Sequence, residues 1–520
     1  VLRETSVVRL FFPPGGLQGA GMPIRGAYFY ISRGSDKIRV SWSQQVFFAP
    51  ACFILSGAFL ERLKMLTVSG SSRRFCDGVS RRQFIAAGSL GAFGLSLPDL
   101  LRAERAQPAG GRRRSVILIW QHGGPSQLDT FDMKPDAPRE YRGPYGSIPT
   151  SLPGLRISDK MPFHARIMDR TSVIRSFTHN NGDHWAAAHW MLTGYLGATG
   201  SDRVPRNPSM GAISSYLLGS KSPGVPATVN INDGGFGFHG AAYLGVSYNP
   251  FRTGEFSYGN EAGRLPAASD GSFKLVDGMH EDRLMNRVSL LKQFDKLKRT
   301  TDTSNTFANM DRMNQRAAQI LLSGDARRAF DLSKEDPKIR ERYGKGSSKN
   351  VSDGPPVWNE QVLICRRLIE AGVRCVTLGF GRWDYHGNNF GQMKDRLPLV
   401  DQVLSALVTD LHERGMDKDV TVLVCSEFGR TPKINKNAGR DHWPPASCAV
   451  MAGGGLRTGQ VIGSTTKDAG HPDKRPVKYQ EILATIYHNM GINPKGFIRD
   501  DADRPIKLLN QNPDPLRELV

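Results

Sequence analysis

From residue 357 onward the chain alternates short, apolar, β-branched runs with stretches at helical spacing, and few folds accept that pattern. Helical periodicity covers 358–371, 396–414 and 477–490, and strand-like runs cover 373–380, 419–425 and 447–452. Continuous apolar runs suit strands buried on both faces. Strands that alternate with amphipathic helices predict an α/β fold, a doubly wound and mostly parallel sheet. The N-terminal half adds a first strand at 115–120, a second at 171–176, a helix at 185–192 and a short strand at 227–231. Residues 133–165 are Pro-rich and loop-like. Residues 200–276, rich in Gly, Pro, Ser and Asn, read as long excursions over one end of the sheet. Residues 277–343 read as a helical insertion and 345–356 as a linker. No internal repeat is present.

The polar residues gather where such a sheet binds ligands, beyond the C-terminal ends of its strands. Gly381-Arg382-Trp383-Asp384-Tyr385-His386 follows one apolar run, and Ser426-Glu427-Phe428-Gly429-Arg430 follows the next. Gly439-Arg440-Asp441-His442-Trp443 lies about fifteen residues later, in a loop. Asp384 and His386 are two apart, so an extended backbone turns both to one side. Imidazoles and carboxylates are the donors that hold zinc-like or manganese-like ions. Asp384, His386, Glu427, Asp441 and His442 are therefore expected to hold divalent metal, as one ion or as a two-ion clamp. Taken singly, each is better explained by a surface pair such as Asp384 with Arg382. Together, at three strand-end loops, they favour a site.

The N-terminal half supplies further candidates. His122 and Asp129 lie in the Gly-rich turn after the first strand, and His179, His184 and His189 fall within eleven residues. His184 and His122 are expected to serve as acid–base groups, and Asp129 as a further metal ligand. His189 reads as a helix-face residue, and Ser126 as a turn residue rather than a nucleophile. Asp183 could cap the helix that follows it.

Composition bears mainly on location and partners. Ser80-Arg81-Arg82-Gln83-Phe84-Ile85 is a twin-arginine pattern, followed by an apolar run to Leu97 and an Ala-containing stretch at 103–109. That order is an export signal, which predicts the twin-arginine machinery as a partner and an extracytoplasmic or periplasmic location. Translation is expected to begin near Met65, with 1–64 an extension, 65–114 signal and linker, 115–508 the domain and 509–520 a tail. The apolar run at 46–60 is shorter than the ~20 residues of a membrane helix, so no span is expected in the mature protein. Residues 1–114 carry 17 Lys and Arg against 6 Asp and Glu, which is +11 of the chain's +20 and leaves +9 for the rest. A mildly basic surface suits anionic substrates, either small molecules or polysaccharides. No basic block interleaved with aromatics points to nucleic acid. Cys365, Cys375, Cys425 and Cys448 show no C-x-x-C spacing and read as buried small residues.

On these residues the chain resembles, over about 80–508, the exported sulfatase-like family catalogued as domain of unknown function 1501. The resemblance rests on the twin-arginine start, the segment from Trp120 to Asp132, Trp383-Asp384-Tyr385-His386, Ser426 to Pro432, and Asp441-His442-Trp443. It implies the alkaline-phosphatase-like superfamily, whose members are metal-dependent phosphatases, sulfatases and phosphomutases. By that resemblance Asp384 and His386 match an Asp–His pair of one metal site, and His442 a later lone histidine. Glu427 and Phe428 stand where an Asp-His pair is usual. Gln121 and His122 replace a metal-binding Asp, with Asp129 the nearest substitute. Aligned on Thr193-Gly194, His184 takes the sulfatase nucleophile's place, and Ala186 and Ala188 replace its Pro and Arg. The resemblance thus implies an exported metal-dependent hydrolase of phosphate or sulfate esters without formylglycine chemistry. The rival expectation is a non-catalytic exported protein that binds glycans or other ligands on the same scaffold.

Overall fold

The computed structural model describes residues 114–197, 199–202, 204–222, 224–232, 240–253, 324–349, 354–500 and 502–520. In the separate unit Val1–Gly94 it describes only the backbone of three strands, Ser6–Leu10, Ala27–Arg33 and Ile38–Ser43, paired antiparallel in that order. The twin-arginine segment and most of 277–343 lie outside the described residues. The described end of that stretch does form helices, at Asp325–Phe330 and Pro337–Tyr343.

The apolar runs become the strands of one eight-stranded sheet. In chain order these are β1 (Ser115–His122), β2 (Thr171–Phe177), β3 (Thr228–Ile231), β4 (Phe251–Thr253), β5 (Cys375–Arg382) and β6 (Val420–Cys425). Two strands from a site hairpin follow, β7 (Gly429–Arg430) and β8 (His442–Trp443), and then β9 (Ser447–Gly453) and β10 (Gln460–Ile462). The spatial order is β10-β2-β9-β6-β1-β5-β3-β4. Every pairing is parallel except those of β9, which runs antiparallel to both β6 and β2. The sheet is the mostly parallel one expected from the alternation of runs and helices.

Side-chain alternation sorts the helices onto two faces. Ile117 and Ile119 of β1 pack with α3 (Asn359–Ala371) and α4 (Asn389–Glu413). Val116, Leu118 and Trp120 pack on the other face with α1 (His184–Thr193), α2 (Met210–Leu218) and α5 (Tyr479–Asn489). The two buried faces are why β1 is apolar from Val116 to Trp120 and β6 at every position but Thr421. Helix α4 is the longest described helix, but among the described residues no helix is long and apolar enough to cross a membrane.

Residues 509–520, expected to be a tail, are anchored in the core at three positions. Leu509, Leu516 and Leu519 are buried, and the Leu516 amide donates to Thr485 Oγ1 of α5 at 2.8 Å. Burial of three leucines ties this Pro- and Asn-containing segment to the domain.

Parallel pairing brings the C-terminal ends of β1, β5 and β6 to one edge of the sheet. Cys425 and Gly379 both lie opposite Trp120, and Arg382 lies opposite His122. The antiparallel β9 begins at this same edge, with Ser447 opposite Phe177, so the β8 segment just before it is delivered there too.

Candidate metal centre

Four donor atoms converge at this edge. Asp384 Oδ1 lies 2.9 Å from His386 Nε2, 3.2 Å from His442 Nε2 and 3.5 Å from His184 Nε2. His386 Nε2 and His442 Nε2 are 3.0 Å apart. Among the described residues, the group whose ligand atoms all lie within 4.8 Å of one another is His184, Asp384 and His442. His386, 47% exposed, closes the group from the solvent side.

The far nitrogen of each ring is tied to an acceptor. His184 Nδ1 meets Glu427 Oε1 at 2.6 Å, His386 Nδ1 meets Asp441 Oδ1 at 2.7 Å, and His442 Nδ1 meets the Gly182 carbonyl at 2.9 Å. A ring that donates Nδ1–H keeps its Nε2 lone pair for a metal, and this is the usual arrangement around metal-binding histidine. With metal–ligand bonds of ~2.0–2.1 Å, the edge of a coordination tetrahedron is roughly 3.3 Å. The four observed donor separations bracket that length. A divalent ion therefore fits these residues.

Local sequence explains the placement. Asp183 caps α1 by accepting from Ala186 N at 2.8 Å, which fixes His184 at the first helical position. Gly123 and Gly124 bring the turn after β1 against the cluster at positive φ, +96° and +79°. A Cβ on Gly123 would meet Asp384 N at 2.7 Å, and one on Gly124 would collide with the Phe428 carbonyl. The Gly123 amide then donates to Glu427 Oε1 at 2.9 Å. His179 Nε2 holds the Glu427 carbonyl at 2.6 Å, while its Nδ1 accepts from the Asn181 amide. Burial lowers the pKa of His179 to about 4 despite that carbonyl contact, so the ring is neutral.

The buried guanidinium of Arg430 braces Asp384. Its Nη2 is 2.5 Å from Asp384 Oδ1, its Nε donates to the Gly124 carbonyl at 2.9 Å, and it also reaches the Gly123 carbonyl. Burial opposes charge on Asp384. Hydrogen bonds from His184 and His442 and the nearby Arg430 charge prevail and hold its carboxyl well below the usual carboxylate range. Burial also disfavours the His184 cation, but hydrogen bonds and charge from Asp384 and Glu427 raise its pKa to about 9.

The expected site residues thus fall into three groups. Asp384, His386, His442 and His184 supply the convergent donors. His184 stands among them rather than apart as an acid–base group. Glu427 and Asp441, expected as ligands, lie one bond further out, where their carboxylates orient His184 and His386. His122 joins the site through its backbone, its carbonyl accepting from Trp383 N at 2.7 Å.

Asp129 is not brought to the cluster. It is fully buried against Arg440, with Nε–Oδ2 at 2.8 Å, and accepts from Asn389 Nδ2 at 3.0 Å. A buried carboxylate needs a countercharge, and the nearest one is this arginine rather than a metal. His189 is also structural, its Nδ1 held by the Tyr195 carbonyl at 2.7 Å. Ser126 is buried, 1% exposed, and offers no accessible nucleophile. Arg430 and the Gly182 carbonyl went unassigned in the sequence, although Arg430 lies in the Ser426–Thr431 motif.

The carboxylate of Glu427 makes its own prediction. Glu427→Gln keeps the shape of the side chain but removes the charge behind His184. The variant is expected to lose ~10–100-fold in divalent-metal affinity with its fold intact. Competition with a metal indicator dye measures this, and unchanged affinity would show that Glu427 does not position His184.

Sheet and cluster together define a doubly wound α/β protein with a polar His/Asp cluster at its strand ends. The chain belongs to the family described as a protein of unknown function, DUF1501, whose model matches residues 113–520. No curated protein matches it. Among solved structures it is similar to the PsFucS1 sulfatase of a Pseudoalteromonas species, at 12% identity and TM-score 0.33, over 80% of this chain and 72% of that one. It is also similar to the lipoteichoic acid synthase LtaP of Listeria monocytogenes, at 11% identity and TM-score 0.32, over 77% of each chain. A Vibrio parahaemolyticus protein in the alkaline phosphatase superfamily gives 10% identity and TM-score 0.30, over 76% of this chain and 74% of that one. Likenesses at these scores carry no weight on the reaction.

Proposed function

We propose that this protein is an exported, metal-dependent hydrolase of phosphate or sulfate esters, with zinc or manganese as its ion. One observation carries the reading: the Nε2 atoms of three anchored imidazoles lie 2.9, 3.2 and 3.5 Å from Asp384 Oδ1, at the sheet edge where ligands bind. A divalent ion held by His184, Asp384, His442 and His386 would supply positive charge to an anion developing on the ester. Glu427 and Asp441 keep the rings in their ligating tautomer. Arg430 holds Asp384 in place and adds a fixed cation beside the anionic substrate. Arg382, at the mouth, donates to the Asp384 carbonyl at 2.6 Å and lies 3.4 Å from Asp384 Oδ2, which puts a second guanidinium at the edge of the site. The export route rests on the twin-arginine sequence alone.

A specific feature favours the rival reading of a binding protein. Four protein donors, if all were bound, would fill a tetrahedral ion's shell, whereas hydrolysis needs an open position. The hydrolase reading therefore requires the exposed His386 to be the donor that yields. Metal analysis of protein produced through its export route, paired with a panel of aryl phosphate and sulfate esters, tests both. About one bound ion and turnover of at least one ester supports the hydrolase. A bound ion without turnover leaves the binding protein, and a metal-free, inactive protein removes the proposal.

Metal retention should depend on pH. In the metal-free protein His184 keeps its proton up to about pH 9, and ligation requires the neutral ring. Affinity is expected to rise from about pH 6 toward about pH 9, with protons released on loading. The sign for stability is opposite in the metal-free protein. This group's contribution is complete below the ordinary value of 6.5 and is lost as pH rises through about 9. Calorimetry in buffers of different ionisation enthalpy reads the proton release, and its absence counts against ligation by His184.

A further inference from the structure

An open cleft of about 560 Å³ begins at Asp441, the residue that holds His386. Trp443 and His471 line one side, their rings 5.7 Å apart at 66°. The segment 431–436 lines the other, carrying Lys433 and Lys436. The volume lies within the ~300–1,000 Å³ of small-molecule sites.

The walls are fixed before any ligand arrives. Trp443 Nε1 donates to the Gly470 carbonyl at 2.6 Å, and its backbone pairs with Gly429. The 431–439 turn is closed by Asn435, whose Oδ1 accepts from Asn437 N and Gly439 N at 3.0 and 2.9 Å. Both carboxylates in the lining are already engaged. Asp441 Oδ1 binds His386 and Asn435, and Asp468 Oδ1 accepts from Thr466 Oγ1 and Gly470 N. Among the described residues neither lysine has an ion-pair partner. The cleft thus offers a held indole and two unengaged ammonium groups, next to a centre read as cleaving anionic esters.

We propose that this cleft is a subsite for a sugar chain bearing sulfate or phosphate groups, with Trp443 as the stacking platform and Lys433 and Lys436 as the anion contacts. A pyranose presents a C–H face that packs on an aromatic ring, and its ionic substituents call for point charges such as lysine. The proposal rests on the hydrolase reading for its purpose, but binding can be measured without hydrolysis.

The test uses the Asp384→Asn variant, which should bind without cleaving. Intrinsic Trp fluorescence and calorimetry would follow a sulfated galactan hexasaccharide, its desulfated counterpart and a phosphate-bearing oligosaccharide of similar length. One or both anionic chains should bind at least tenfold more tightly than the neutral one. Lys433→Ala/Lys436→Ala in the same background should remove most of that difference while the melting temperature stays unchanged. Both lysines are exposed, so their loss should leave intact the fold that Trp443 helps to hold. Equal affinity for neutral and charged chains, or undiminished binding in the double variant, overturns the subsite. Binding without ester turnover by the wild type would retain the subsite and remove the hydrolase. Turnover without oligosaccharide binding would do the reverse.

Discussion

Asp384→Asn is expected to abolish retention of divalent metal and, with it, all ester turnover. Asp384 is the only anion among the four convergent donors, and its Oδ1 is the atom that all three imidazoles face. Three neutral rings cannot offset the cost of holding a dication beside the buried Arg430 guanidinium, itself 2.5 Å from that oxygen. The affinity loss should exceed the ~10–100-fold typical of residues behind the ligands. The fold should persist, because asparagine keeps the shape and Arg430 retains the carbonyls of Gly124 and Arg440 at 2.9 and 3.2 Å. Elemental analysis and circular dichroism check the two halves separately. A folded variant that still carries about one ion would place the metal elsewhere and sink the assignment of all four donors.

The fold was legible because β1, β5 and β6 are buried on both faces and therefore carry mostly apolar runs. The antiparallel direction of β9 was not, since a buried run looks the same in either direction. Helix α4 begins at Asn389 rather than at 396, because Pro398 inside it imitates a helix start. At the site, the strand-end position of Asp384, His386, Glu427, Asp441 and His442 could be read from the motifs. Their division into donors and holders could not. A carboxylate that binds a metal and one that orients a histidine are the same residue type at the same strand end. Only the Nδ1 contacts of His184 and His386 separate them. His184 was suggestive by position, yet its partner Glu427 lies 243 residues away. The placement of Asp129 away from the cluster has the same origin, as its partner Arg440 is 311 residues distant.

That buried pair yields the largest stability effect expected of any residue assigned to the site from sequence. Asp129 and Arg440 are both 0% exposed and meet through two contacts, Nε–Oδ2 at 2.8 Å and Nη2–Oδ1 at 3.2 Å. Asp129→Ala leaves the guanidinium buried with only carbonyl partners, among them Tyr141 O at 2.7 Å and Thr431 O at 3.1 Å. Breaking such a pair from one side costs ~3–5 kcal/mol, against a total of only ~5–15 kcal/mol for a typical domain. Removing both charges should be milder, because no ion is then stranded. Asp129→Ala/Arg440→Met is therefore expected to recover a substantial part of the loss in denaturant unfolding, a coupling that a double-mutant cycle reads directly. Metal binding discriminates further. Arg440 immediately precedes Asp441 and His442, so Asp129→Ala should loosen that loop and weaken the ion's hold in proportion to lost stability, and the double variant should recover both together. If Asp129 were instead a ligand, the second substitution would restore no metal at all.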